Sequence, residues 1–286
     1  MTLSPDDSVP LRSTAVVHTL QSFSGTTVLD DLTEGSATRL HRPAWHTTCQ
    51  GGIPLATYDA VLLYHVPYYL VNTYFQGHPH CSTILDAVMK GSYRPLIGTS
   101  YELLTAGNSE KTMENYLKMH TLKTGNLFRK MPALGMLLAE VTDKKLISSM
   151  QDIFKEFGLM EQCWDDFSEV ASDAEHLGKP TEDIERGVNT WTSAMAMTTL
   201  DPSTRQVFKD CYGSSDPEKI SKVRLIYSNM NIPKLYLEHM KRKDMEVNRA
   251  IENIPDERLR GVCYSFKDWL IGGIHSEEVE HICNSA

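Results

Sequence analysis

The chain has no closely spaced cysteine pair, no apolar run long enough to cross a membrane and no surplus of basic residues. Each lack closes off a class of protein. Its six cysteines (Cys49, Cys81, Cys163, Cys211, Cys263 and Cys283) are scattered over 286 residues. With no C-x-x-C and no histidine at zinc-finger spacing, neither a disulfide scaffold nor a zinc module is expected, and the thiols read as reduced, in a cytoplasmic protein. Met1 to Leu11 is polar and carries Asp6 and Asp7, unlike a secretory signal. No stretch reaches the ~18 apolar residues of a membrane span. Lys plus Arg number 28 against 37 Asp plus Glu, a formal net charge of −9. That balance argues against nucleic acid as a partner, since duplex binding needs basic surface to replace phosphate counterions. An anionic substrate stays open, because a divalent metal inverts the local field. Alternating strand blocks and 20–50-residue repeats are missing as well.

What the chain does have is helical rhythm. Val16, Val17, Leu20 and Phe23 recur every three to four residues in the stretch from Ser13 to Leu29. A Pro-, Gly- and Thr-rich break follows at His41 to Pro54. Leu55 to Phe75 is an apolar, Tyr-rich segment in which Pro67 should introduce a kink. Further helical segments are expected at 81–104, 109–127, 134–141, 143–172, 183–199, 202–212, 217–230, 232–251 and 255–271, with a loop at 176–181. The reading is an all-α fold: a short, poorly ordered N-terminus over 1–12 and one domain over 13–286.

Two acidic pentads stand out. Asp30-Asp31-Leu32-Thr33-Glu34 follows one apolar helix, and Asp165-Asp166-Phe167-Ser168-Glu169 follows Phe157 to Trp164. Both read D-D-x-x-E. On a helix, residues four apart share a face, so Asp30 with Glu34 and Asp165 with Glu169 each gather two carboxylates. Left alone, such pairs repel. Mg²⁺, a hard cation that takes one or two carboxylates and completes its shell with water and phosphate oxygens, would reverse the penalty. A single such pentad is usually a solvated face; two in one chain favour metal–diphosphate chemistry about as strongly as the bland alternative.

With these motifs in view, the chain resembles the farnesyl diphosphate synthase family, all-α enzymes of the class I isoprenoid synthase fold with a central active-site cavity. Asp30 to Trp45 (DDLTEGSATRLHRPAW) is similar to the family's first Asp-rich motif and the T-R-R-G after it. Tyr116 to Phe128 (YLKMHTLKTGNLF) is similar to its K-T helix. Gly158 to Glu169 (GLMEQCWDDFSE) with Gly178 to Asp183 (GKPTED) is similar to the second Asp-rich motif and its lysine loop, and Ser215 to Lys234 to the late helices. The resemblance implies that Asp30, Asp31 and Glu34 ligate two Mg²⁺ ions and Asp165, Asp166 and Glu169 a third, with Mn²⁺ able to substitute. It also implies that Arg39, Lys123, Thr124, Gln162 and Lys179 contact an allylic diphosphate, and that the protein is a homodimer. Asp30, Asp31, Asp165, Lys123 and Lys179 would be catalytic. Each motif ends in Glu where the family usually has Asp.

Departures from the family pattern point away from chain elongation. The isopentenyl diphosphate pocket of the family draws on a G-K-x-x-R segment absent from the residues before Asp30. The second arginine of T-R-R is Leu40, a family glutamine is Phe23 and a later lysine is Val188. The basic tail is replaced by Cys283-Asn284-Ser285-Ala286. Losing several phosphate contacts, each ~1.5–3 kcal/mol, should abolish binding of a second diphosphate. An enzyme that ionises but does not condense lets its carbocation cyclise, lose a proton or meet water. The pattern is similar to the terpene synthases that insects and other animals derived from prenyl synthases.

A carbocation needs a dry, aromatic-lined cavity; Phe23, Tyr68, Tyr69, Phe75, Tyr101 and Trp164 are candidates, though for any one of them core packing is the favoured explanation. Gly25 and Thr26 stand where bulky residues cap the hydrocarbon tail in the family, so the floor should admit a fifteen-carbon chain. Farnesyl diphosphate is the expected substrate and a sesquiterpene the product, with ten- and twenty-carbon substrates as rivals. The competing readings are a prenyltransferase that still condenses isopentenyl diphosphate, and a non-catalytic partner subunit.

Overall fold

The structure, a computed structural model, describes residues 24–107, 110–171 and 182–275. Phe23, Lys179 and the expected N-terminal and 176–181 loops lie outside them. In order the elements are α1 (24–34), β1 (Thr38–Arg39), β2 (Arg42–Pro43), α2 (Trp45–Thr48), α3 (Gly52–Tyr74), α4 (Cys81–Thr105) and α5 (Met113–His120). A π-helical turn (Thr121–Gly125) leads into α6 (Asn126–Leu138), α7 (Lys144–Ala171), α8 (Asp183–Arg186) and α9 (Trp191–Thr199). The last elements are α10 (Pro202–Cys211), α11 (Pro217–Asn229), α12 (Ile232–Glu252) and α13 (Glu257–His275). The all-α expectation holds. Among the described residues no helix is long and apolar enough to cross a membrane.

Helix starts follow local chemistry. Asp201 and Asp216 precede Pro202 and Pro217 and accept from the first free backbone N–H groups of α10 and α11. Thr112 does the same for α5 through Asn115 N, and Asn231, in the left-handed region at φ 51°, for α12. An oxygen acceptor at the N-cap and proline at N1 satisfy donors that the helix cannot.

The chain divides into two compact units, one of residues up to Ile97 with Lys123–Gly158, the other of Gly98–Leu122 with residues from Leu159 on. The first has a core of Val71, Phe75, Ile84, Val88, Leu134 and Leu137. The second is built on aromatic residues: Phe167 stacks on Tyr236 at 4.1 Å between ring centroids, and Trp191 meets Tyr236 edge-on. Phe75 and Trp164 thus belong to packed cores, and Tyr69 is 68% exposed, so the core or surface reading wins for these three.

Two expectations need correction. The helix anticipated over 183–199 is interrupted at Gly187, whose φ of 64° ends α8 in the left-handed conformation; α9 restarts with Thr190 and Ser193 capping each other. The segments expected at 109–127 and 134–141 are not separate: α6 runs without a break across the gap between them, and the π turn lies inside the first. At the α8 break three glycines converge. Gly107 N donates to Gly187 O at 2.9 Å, and a Cβ on Gly187 would lie 2.9 Å from Gly213 Cα and 3.0 Å from Gly107 Cα. Gly187→Ala is therefore expected to lose ~1–2 kcal/mol from backbone conformation alone, with the steric conflict added, and to lower the melting temperature by several degrees in a thermal scan.

Candidate active site

In the first unit the acidic pentad is not a break but the last turns of α1. Asp30, Asp31 and Glu34 lie along it, with side-chain exposures of 20%, 5% and 24%. Carboxylates gathered this tightly need positive charge, and two cations supply it. Arg39 donates from Nε to Asp31 Oδ1 at 2.8 Å and brings Nη2 to 2.7 Å of the same oxygen, with Glu34 Oε2 at 4.0 Å. Lys123 Nζ stands 4.0 Å from Asp30 Oδ1.

Both cations are delivered by irregular backbone. Arg39 pairs with Arg42 across a two-residue hairpin whose turn residues, Leu40 and His41, have φ of 50° and 59°. Such a turn normally asks for Asn-Gly; Leu-His carries no such signal, so the hairpin was not anticipated. Leu40 is 76% exposed at its tip. Lys123 and buried Thr124 sit in the π turn, a local widening that often marks functional positions.

Gly158 of α7 explains how that turn is held, a role spacing alone did not reveal. A Cβ there would fall 2.9 Å from the Thr124 carbonyl oxygen and 3.0 Å from the Phe128 ring. Gly25 has a related role. Its absent side chain makes room for the Tyr64 ring at 3.1 Å, and Thr26 Oγ1 shares a 2.7 Å hydrogen bond with Tyr64 Oη. The space expected to deepen a pocket floor is filled by Tyr64 of α3.

In the second unit the same pentad lies inside α7 and is treated differently. Asp166 is 3% exposed. Its Oδ1 accepts from Gln162 Nε2 at 2.9 Å and its Oδ2 from the Trp191 backbone N–H at 2.7 Å, the first N–H of α9. Burial, followed by the nearby Asp183 carboxylate, pushes its pKa well above the usual carboxylate range. Glu169 accepts the Asp183 backbone N–H at 2.7 Å. Gln162 thus binds a carboxylate here, and Asp165 is the half-buried member of the motif. Tyr101 is half-buried beneath the Lys118 ammonium, 5.4 Å from the ring centroid.

Among the described residues no three His, Cys, Asp or Glu side chains converge closely enough to hold an ion by themselves. The donor chemistry nonetheless fits Mg²⁺ at the first motif. It is all carboxylate oxygen, only partly balanced by two cations, and Mg²⁺ needs only one or two such ligands beside phosphate and water. Asp166 fits poorly, since both its oxygens are engaged.

The arrangement of helices matches farnesyl diphosphate synthase from T. brucei complexed with a bisphosphonate. The TM-score is 0.81 at 19% sequence identity, covering 91% of this chain and 96% of that one. This places the protein in the all-α isoprenoid synthase fold. The polyprenyl synthetase family model matches residues 5–230, so the chain belongs to that family. Among its relatives, a sesquiterpene alcohol synthase of Murgantia histrionica is 32% identical over 249 residues, 87% of this chain. An IDS-type sesquiterpene synthase of Nezara viridula is 28% identical over 268 residues, 92% of this chain and 71% of that protein. The chain spans 65% of the length of the Murgantia relative.

Gly158→Ala separates propensity from packing. In an ordinary helix interior the change stabilises by ~1 kcal/mol; against a carbonyl at 2.9 Å it should instead destabilise by ~1–3 kcal/mol. Urea unfolding is expected to show the loss, and unchanged or increased stability would disprove the close approach.

Proposed function

We propose that the protein is a Mg²⁺-dependent terpene synthase that ionises farnesyl diphosphate and converts the carbocation to a sesquiterpene, releasing diphosphate. The observation that carries this reading is the first acidic cluster, in which Arg39 and Lys123 stand within 4.0 Å of three carboxylates on one helix. Family membership and two relatives named as sesquiterpene synthases support it.

Each residue has a physical task. Asp30, Asp31 and Glu34 would hold two Mg²⁺ ions, and Asp165 would contribute to a third. Mg²⁺ would supply Lewis-acid stabilisation of the departing diphosphate. Arg39, Lys123 and Thr124 would bind the phosphate oxygens, adding fixed positive charge where negative charge grows in the transition state. Lys179 is assigned to the same task from the sequence alone. Asp166 and Glu169, first expected to be ligands, are better suited to positioning. They tie the metal-bearing end of α7 to α9 and to the Asp183 backbone, so that Asp165 is held in place.

Elongation is disfavoured by the residues at the co-substrate positions. Leu40 offers a hydrocarbon at an exposed turn, and Val188 is 4% exposed with its carbonyl accepting from Tyr212 Oη. Neither binds a phosphate. We further infer a cytoplasmic homodimer. Leu55, Tyr58, Leu62 and Tyr69 form an apolar stripe on α3, exposed by 42%, 71%, 60% and 68%, the kind of surface an interface covers. Light scattering should return the mass of two chains, and a monomer would refute this part.

Incubation with farnesyl diphosphate and Mg²⁺ should give a C15 hydrocarbon or alcohol and free diphosphate, and EDTA should stop the reaction. Incorporation of labelled isopentenyl diphosphate would instead establish a prenyltransferase, and no turnover of any C10, C15 or C20 diphosphate a non-catalytic relative. Asp30→Ala and Asp165→Ala are each expected to lower kcat at least ~100-fold with little change in stability. Asp166→Ala should also cost ~2–3 kcal/mol of stability, by stranding two buried donors.

A further inference from the structure

The first unit contains a cleft of about 530 Å³ between α4, α6 and the start of α7, lined by no residue of either acidic motif. Its lining runs against the charge of the chain. Five basic side chains, Lys90, Arg94, Arg129, Lys130 and Lys144, face it with His80 and a single carboxylate, Asp86, although the protein carries −9 overall. Lys90 is paired with Asp86 at 2.7 Å and Arg129 with Asp152 at 3.3 Å. Arg94 reaches only a neutral group, Asn126 Oδ1, at 3.3 Å.

Lys130 is the unusual member. It is 4% exposed, and its Nζ has no hydrogen-bond partner. Its stem lies along Gly91 of α4, where a Cβ would collide with Lys130 Cδ; α4 thus leaves a groove that admits the lysine. A buried ammonium without an acceptor is costly, and proteins normally pair it or shift its titration. Burial lowers the Lys130 pKa from 10.5 to about 7. A cost of this kind persists where a ligand, rather than the protein, completes the pairing.

We propose that this cleft is a second anion site, taking a phosphate ligand of the diphosphate class, with Lys130 at its base and Arg94 and Lys144 on its walls. None of its lining residues stands at a position that the family resemblance assigns to either diphosphate of prenyl-chain elongation, so its residues are distinct from those of the proposed reaction centre. Its wall is partly apolar, through Ala87, Ala133, Leu137 and Ile147. The ligand is thus either free diphosphate or the head of a prenyl diphosphate.

Titration calorimetry with inorganic diphosphate, in EDTA to silence metal-dependent binding at the acidic motifs, tests the site directly. The intact chain should bind, more weakly as salt rises, and Lys130→Met and Lys144→Glu should each weaken binding at least ~10-fold. Both variants should keep wild-type turnover of farnesyl diphosphate. Lys144 is exposed, so its variant carries the test should Lys130→Met fail to fold. A parallel titration with geranyl diphosphate identifies the source. Tighter binding than inorganic diphosphate marks the prenyl head as the ligand, and equal or weaker binding the free anion. Above pH 7, where Lys130 is mostly neutral, binding should take up a proton, seen as a dependence of the heat on buffer, and this should vanish in Lys130→Met. Absence of binding by the intact chain, or equal binding by the folded variants, overturns the proposal. Neither result touches the terpene synthase reading, which is judged by turnover.

Discussion

Crowded negative charge is the constraint around which the end of α1 and the segments that meet it are organised. Three carboxylates on neighbouring turns of one helix repel one another, a cost that positive charge offsets. Without a metal, the balance comes from Arg39 and Lys123, and both are held by departures from regular structure. The hairpin that returns Arg39 to Asp31 places two ordinary residues at positive φ, and the π turn that carries Lys123 widens a helix by one residue. Strain of this kind, on the order of 1–3 kcal/mol per residue, persists where surrounding contacts over-determine the geometry. Here those contacts include the Arg39–Asp31 pair and the close seat of Gly158 under Thr124.

The second pentad shows that the same five-letter pattern has more than one physical solution. Asp31 is satisfied by a guanidinium, whereas Asp166 is satisfied by an amide and a backbone N–H at the start of a helix. A carboxylate there also meets the positive end of the helix dipole. One motif presents charge to a cation; the other turns much of its charge inward and uses it as a brace.

The smallest residues shape the rest. Gly25, Gly91, Gly158 and Gly187 each mark a place where another side chain or backbone comes closer than a Cβ would permit. In three of these a side chain from a distant segment takes up the gap: Tyr64 against Gly25, Lys130 against Gly91 and Phe128 against Gly158. A small residue therefore records the size of its neighbour. Reading Gly25 as open space fails for this reason.

Much of the fold was legible from sequence because its causes are local. Helix-forming periodicity, Asp-Pro and Asn-x-Pro starts, and the position of the acidic pentads act over a few residues. The helices 81–105, 144–171 and 202–211 accordingly appear within a residue or two of where the pattern puts them. The Leu40–His41 hairpin was not legible, since it relies on tertiary contacts to hold residues that disfavour that turn. The sequence by itself determined an all-helical chain carrying two D-D-x-x-E segments. Only the tertiary structure decided which carboxylates are met by cations and which by backbone, that Tyr64 occupies the space beside Gly25, and that four other basic residues share a cleft with the buried Lys130. Those outcomes depend on distances between segments far apart in the chain, and such distances are set by packing rather than by local preference.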